Sequence, residues 1–134
     1  MIEPYINIGG RAEEAIDFYD SVFHCKSKQI FHLGDMPENP EQPLPDDMRN
    51  LVGDSEIEIY GSIVHVSDMM GDFMTQDGHI SLMIQFESPE ALTTVYDALA
   101  KEGQVLMPLA EESFAKLYAW VKDKFGVGWQ LMFN

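Results

Sequence analysis

Apolar and polar positions alternate in two rhythms along this chain, and the switches between them predict its regular elements. Residues 4–8 form a short apolar strand that Gly9 and Gly10 turn into a helix beginning near Arg11. Ala12, Ala15, Ile16, Tyr19, Val22 and Phe23 then recur at i, i+3, i+4 and i+7 spacing, which places them on one buried helical stripe. Residues 28–33 predict the next strand. Across residues 34–47, Pro37, Pro40, Pro43 and Pro45 stand among acidic side chains. Proline fixes φ and lacks an N–H, so this segment can be neither a helix nor a central strand. A long surface loop is expected, either a flap over a site or an acidic excursion. Glu56, Glu58 and Tyr60 alternate with Ile57 and Ile59, the period of a half-buried strand, closed by a turn at Gly61-Ser62. Residues 63–67 return beside it, and the Gly- and Asp-rich residues 68–78 predict a connection.

Beyond that connection the order begins again. Ile80, Leu82, Ile84 and Phe86 alternate with His79, Ser81, Met83 and Gln85, giving a strand with one apolar and one mixed face. Ser88 is placed as an N-cap with Pro89 at the first helical position, and Leu92, Val95, Tyr96 and Leu99 make the buried stripe. Gly103 ends this helix, and residues 104–109, 116–122 and 128–133 supply three more strands. Glu3-Pro4-Tyr5-Ile6-Asn7-Ile8 and the helical run ending Phe18-Tyr19-Asp20-Ser21-Val22-Phe23 are thus echoed about 76 residues later by His79-Ile80-Ser81-Leu82-Met83-Ile84 and the run ending Val95-Tyr96-Asp97-Ala98-Leu99-Ala100. A long period present only twice predicts a duplicated supersecondary unit within one domain, residues 1–134, and not a solenoid. The first module spans about 1–68 and the second about 78–134. Function is expected where the halves face each other.

Composition narrows the classes. The 134 residues are 46% hydrophobic, enough for the core of one globular domain. The apolar runs are far shorter than the roughly 20 residues of a membrane helix, and no signal-peptide pattern opens the chain, so no membrane partner and a cytoplasmic location are expected. Cys25 stands alone, which excludes an intramolecular disulfide and a cysteine cluster for zinc. With 23 acidic against 8 basic side chains the net charge is −15, so the clustered lysines and arginines that hold a nucleic-acid backbone are lacking, and cations would gather near the surface.

Four segments carry a resemblance: Pro4-Tyr5-Ile6-Asn7-Ile8; Ala15-Ile16-Asp17-Phe18-Tyr19; Gly61-Ser62 with Ser67-Asp68; and Asp123-Lys124-Phe125-Gly126-Val127-Gly128-Trp129. In this order the chain resembles the vicinal oxygen chelate superfamily, which contains glyoxalase I, fosfomycin-resistance enzymes, extradiol dioxygenases and bleomycin-resistance proteins, and within it the PhnB-like branch. The resemblance implies an α+β fold of two tandem β-α-β-β-β modules forming a curved, partly open mixed-sheet barrel around a cavity, and a homodimer. In metal-dependent members each module gives one ligand at the start of its first strand and one on its last.

Carried onto the internal repeat, these positions hold Glu3 and His79 at the strand starts and His65 and Met132 on the last strands. Glu3, His65 and His79 are of the types that bind Zn, Ni, Mn or Fe, whereas the Met132 thioether is a poor ligand for such ions. Two histidines and one carboxylate can hold a catalytic metal with open positions for substrate. The same histidines can equally be polar wall residues, and a shift of the first strand by one residue replaces Glu3 with Pro4, which cannot ligate. Tyr5, Asn7, Ser81, Met83, Tyr118, Trp120, Gln130 and Met132 share strand parity with the implied cavity face and are expected to line it. Trp129, Leu131 and Phe133 have core parity, and His24 and His32 read as surface residues. Neither Gly9-Gly10 nor Gly126-Val127-Gly128 fits a phosphate-cradling loop, so no nucleotide cofactor is expected, and methyl transfer from adenosylmethionine gains no support. Two functions stand: a glyoxalase-like enzyme acting on a small molecule with metal-assisted lyase, isomerase or dioxygenase chemistry, and a metal-free protein of bleomycin-resistance type that binds a cationic small molecule.

Overall fold

The first helical stripe becomes α1 (Ala12–Phe23), with Ala12, Ala15, Ile16, Tyr19 and Phe23 buried. The computed structural model describes residues 1–38, 40–68 and 80–134; the expected connection from 69 onward and His79 lie outside them. The chain forms two compact units, Met1–Thr75 and Gln76–Asn134. In the first, β1 (Tyr5–Asn7), β2 (Lys28–His32), β3 (Val52–Ile59) and β4 (Ser62–Ser67) make one mixed sheet in the order β1-β4-β3-β2. Helix α1 packs on β3 and β4, and Ile57 and Val66 beneath it are completely buried. Fully burying such side chains contributes about 1.5–3 kcal/mol each. Ser55, buried in the same layer, is satisfied twice: its hydroxyl donates to the Val66 carbonyl at 2.5 Å and accepts from Val66 N at 3.0 Å.

The start of α1 has no local cap, because the Arg11 side chain makes no capping bond. Asp68 supplies it from the end of β4. One carboxylate oxygen accepts from Ala12 N and the other from Val52 N, both at 2.9 Å. A carboxylate at a helix N-terminus satisfies an orphan donor and complements the dipole. The β3–β4 turn falls at Tyr60-Gly61, one residue earlier than expected, with φ of 49° and 89°. A two-residue hairpin loop of this kind needs positive φ at both positions, and Tyr60 accepts it. The proline-rich segment is a loop with two short 3-10 turns, Leu33–Asp35 and Asp46–Met48. Leu33 N bonds Leu51 O at 2.8 Å across its neck, and Arg49 pairs with Glu38 at 3.2 Å and Asp46 at 3.3 Å.

The second unit repeats this plan. Strands β5 (Ser81–Phe86), β6 (Gln104–Glu112), β7 (Ala115–Lys122) and β8 (Gly128–Phe133), with α2 (Pro89–Ala100), make a sheet in the order β5-β8-β7-β6, the same topology as the first. Ser88 caps α2 as expected, its hydroxyl accepting from Ala91 N at 3.1 Å. Leu92, Val95 and Leu99 are buried on its inner face, and Trp129 and Leu131 are buried as their parity required. Strand β6 runs three residues beyond the expected end. It is an edge strand with several register shifts, where Pro108 is tolerated because no ladder donor is needed. The expected α+β architecture of two β-α-β-β-β modules is therefore present. Among the described residues, no helix is long and apolar enough to cross a membrane.

Candidate functional site

A cluster of titratable groups in the first unit forms where β1 and β4 run parallel. Tyr5 stands opposite His65, and its ring stacks on the imidazole with centroids 5.4 Å apart and planes 11° from parallel. The His65 backbone N–H donates to the Pro4 carbonyl at 2.9 Å, which fixes the strand and brings Glu3 alongside. Glu3 Oε2 then lies 2.6 Å from His65 Nε2. The other ring nitrogen, Nδ1, faces Asp54 Oδ1 at 3.2 Å across the β3–β4 pair. The imidazole is largely covered, its side chain only 13% exposed. Its pKa is raised: the hydrogen bond it donates to Glu3 is the main cause, burial works against it, and Asp54 adds to the rise. Further along the same face, Ser67 Oγ donates to Asn7 Oδ1 at 3.1 Å.

The second unit carries different chemistry on the equivalent face. Ser81 stands opposite Gly128, Met83 opposite Gln130 and Gln85 opposite Met132, while Trp120 opposes Gln130 and Tyr118 opposes Met132. Ser81, Met83, Tyr118, Trp120, Gln130 and Met132 thus share one sheet face. Tyr118 Oη donates to Gln130 Oε1 at 2.5 Å, and Gln130 Nε2 donates to Ser81 Oγ at 2.6 Å. Gln85 Nε2 approaches the Met132 sulfur at 3.5 Å. Burial, then the charge of Glu112, pushes the Tyr118 phenol up, so it stays a donor.

A divalent metal is the group the family resemblance implies, and the donor chemistry can be tested against it. Glu3 and His65 are a carboxylate and an imidazole already in contact, and Asp54 on the second ring nitrogen is the outer carboxylate that typically orients a ligating histidine. The donor types fit. They amount to two ligands: among the described residues, no group of three His, Cys, Asp or Glu side chains is arranged to hold a metal ion. His79, the expected third ligand, lies outside the described residues.

With this geometry in hand, comparison with known proteins is specific. The family model described as 3-demethylubiquinone-9 3-methyltransferase matches residues 2–132. The chain belongs to this family. It is the PhnB-like branch of the vicinal oxygen chelate superfamily, as the sequence resemblance implied. Protein YjdN of Escherichia coli K12 is 24% identical over 136 residues, covering 97% of this chain and 92% of that protein. A Bacillus cereus PhnB protein, described as a 3-demethylubiquinone-9 3-methyltransferase of unproven activity, is 28% identical with a TM-score of 0.77, covering 99% of this chain and 98% of that one. Protein PA1353 of Pseudomonas aeruginosa superposes with a TM-score of 0.87 at 23% identity, covering 100% and 97%.

Family membership gives the sequence motifs a physical meaning. The Asp123–Trp129 segment is a turn built around one buried carboxylate: Asp123 accepts from Phe125 N at 2.9 Å, Val127 N at 3.1 Å and Trp129 Nε1 at 2.9 Å. In the first unit Asp68, just past β4, ties the start of α1 to β3. Both motifs hold the scaffold and leave the faces of the sheets to carry chemistry. Cys25 is half-buried, and burial, then Asp20, pushes its thiol up, which keeps it protonated and unreactive. Of the sequence candidates, Glu3 and His65 are brought together with Tyr5; Asn7 pairs with Ser67 nearby. Asp54 was missed. Its signal was the parity it shares with Glu56 and Glu58, hidden because β3 begins at Val52, four residues before the strand expected.

Proposed function

We propose that this protein binds an oxygen-bearing small molecule with the help of a divalent cation held by Glu3 and His65, in glyoxalase-like fashion. The single observation that carries this reading is the Glu3 Oε2 to His65 Nε2 approach of 2.6 Å, with Asp54 on the opposite ring nitrogen. A fosfomycin resistance protein of the same fold, FosX of Listeria monocytogenes, has been solved as a mutant in complex with Mn(II) and 1S,2S-dihydroxypropylphosphonic acid, with a TM-score of 0.67 at 12% identity covering 100% of this chain and 91% of that one. That complex is a precedent for the ion on this fold; the chemistry proposed here rests on this chain's own residues. When bound, the ion would act as a Lewis acid on substrate oxygens. Asp54 orients His65 by accepting from Nδ1–H, so that, with a cation bound, Nε2 would offer its lone pair to the ion beside Glu3. Glu3 brings the negative charge that offsets a cation, and Tyr5 shields one ring face from water. In the ion's absence, the imidazolium bridges the two carboxylates.

Titration calorimetry with Mn(II) and Zn(II) tests this. Binding is expected for the wild type and abolished in His65→Ala, with a loss of about 10–100-fold in Asp54→Asn. Equal affinity in all three proteins overturns the reading.

A second reading has its own support. Tyr5 is 51% exposed on a face that also presents Glu3, Asp54, Glu56 and Glu58. An aromatic ring among acids suits a flat cationic ligand without any metal. Quenching by a cationic dye that is lost in Tyr5→Ala but unchanged by chelators would favour this alternative.

A further inference from the structure

In the second unit, three observations meet at one point. Among the described residues, the Trp120 indole nitrogen is the buried side-chain nitrogen or oxygen without a hydrogen-bond partner. Buried N–H groups in folded proteins are almost always paired, so an orphan asks for an explanation. Gly128 opens β8, opposite Ser81 and Lys122, and its φ is not in the left-handed region. A Cβ built there would meet only ordinary contacts: Ser81 Cβ at 3.4 Å, Trp120 Nε1 at 3.7 Å and Ile80 O at 3.8 Å. Backbone conformation therefore does not demand glycine, and its missing side chain leaves a gap of about one methyl group between the serine and the indole.

The third observation is the direction of the hydrogen-bond chain. Tyr118 donates to the Gln130 carbonyl oxygen, which turns the Gln130 amide nitrogen toward Ser81 as donor. Ser81 Oγ is thereby an acceptor, and its own proton is left to point elsewhere. Two neutral donors, Ser81 Oγ–H and Trp120 Nε1–H, flank the space over Gly128. Lys122, the cross-strand partner of Gly128, adds a positive charge to the same face.

We propose that Ser81 and Trp120, converging over Gly128, form a subsite for a carboxylate oxygen of a small-molecule ligand. This subsite belongs to the second unit and does not depend on the cation proposed for Glu3 and His65. A bound oxygen would satisfy the orphan indole N–H and the serine proton together, and Gly128 would give it room to approach.

The chain has two tryptophans, so an NMR spectrum of the nitrogen-15-labelled protein contains two indole N–H signals. Trp129 donates to Asp123 and serves as an internal control for the fold. Titration with sodium acetate is expected to move the Trp120 signal downfield along a saturable curve while the Trp129 signal stays in place. Acetamide, of the same shape without charge, is expected to bind at least fivefold more weakly. Gly128→Val should abolish the response with the Trp129 signal unmoved, and Ser81→Ala should weaken acetate binding at least fivefold. His65→Ala and Glu3→Gln should leave the response intact, which separates this subsite from the cation site. The proposal is overturned if acetate leaves the Trp120 signal still or moves both indoles together. It is also overturned if acetamide matches acetate, or if Ser81→Ala responds as the wild type does.

Discussion

In the first unit a histidine stands between two carboxylates on one face of its sheet; in the second, the same face carries a phenol, an amide, a hydroxyl and a thioether. The strand order and helix placement are the same. What differs is charge. Around His65, ionised partners raise the imidazole pKa and hold a proton or compete for a cation. Around Gln130, neutral groups pass hydrogen bonds in one direction and end on donors. Duplication kept the scaffold contacts, which burial and hydrogen bonding enforce, and left the exposed faces free to diverge.

The scaffold half of this comparison breaks most severely at its buried carboxylates. Asp123→Ala orphans two backbone N–H groups and the Trp129 indole, so it should cost about 3–5 kcal/mol in urea unfolding. Asp68→Ala orphans two donors in a less buried place and should cost about 2–3 kcal/mol. If the two losses match, the units are not held as differently as their hydrogen bonds indicate. Glycine contacts sharpen the contrast. A Cβ on Gly103 would sit 2.4 Å from the Lys122 carbonyl and 2.9 Å from that of Leu99, which are rigid backbone. On Gly53 it would meet side-chain tips of Met36 at 2.6 Å and Leu33 at 2.9 Å, which can swing away. Gly103→Ala should therefore destabilise by about 2–3 kcal/mol and Gly53→Ala by about 1 kcal/mol or less, measured as midpoints in the same denaturant series.

Smaller effects separate the helix starts. Ser88→Ala removes a local cap and should cost about 1 kcal/mol, less than removal of the remote cap of α1 at Asp68. The smallest effect is electrostatic. His65 has a folded pKa above its ordinary value of 6.5, so its contribution to stability is fully present below that value and is lost as pH rises through the folded one. The stability difference between the wild type and His65→Gln should shrink from about pH 5.5 to about pH 9 by less than about 1 kcal/mol, because Glu3 is partly solvated. A difference that grows with pH would contradict the assigned direction.

Much of the fold was legible because burial writes its period into the chain. The stripes of α1 and α2 and the alternation around Ile57, Ile59, Ile84 and Leu131 leave few alternatives, and Ser88-Pro89 marks a helix start chemically. The Tyr60-Gly61 turn was read one residue late because Tyr60 gives no local sign of adopting positive φ. Glu3 and His65 were named by carrying the ligand positions that the resemblance implies onto the internal repeat, which points to strand positions. It does not point across strands. Asp54 meets His65 through the register of β3 and β4, a long-range property that no local pattern encodes. Likewise, the Tyr118–Gln130–Ser81 chain joins three strands, and only their parity was readable. The ladder also sets limits on the repeat: His65 stands opposite Tyr5, but Met132 stands opposite Gln85, four residues beyond Ser81.

The most direct test of the account is the metal content of untagged protein by plasma mass spectrometry, after incubation with Zn, Ni, Mn and Fe and removal of excess ion, beside a Glu3→Gln/His65→Ala double variant treated identically. The account predicts near-stoichiometric metal in the wild type and none in the variant. No metal in either, or equal metal in both, would contradict the assignment of a cation to Glu3 and His65.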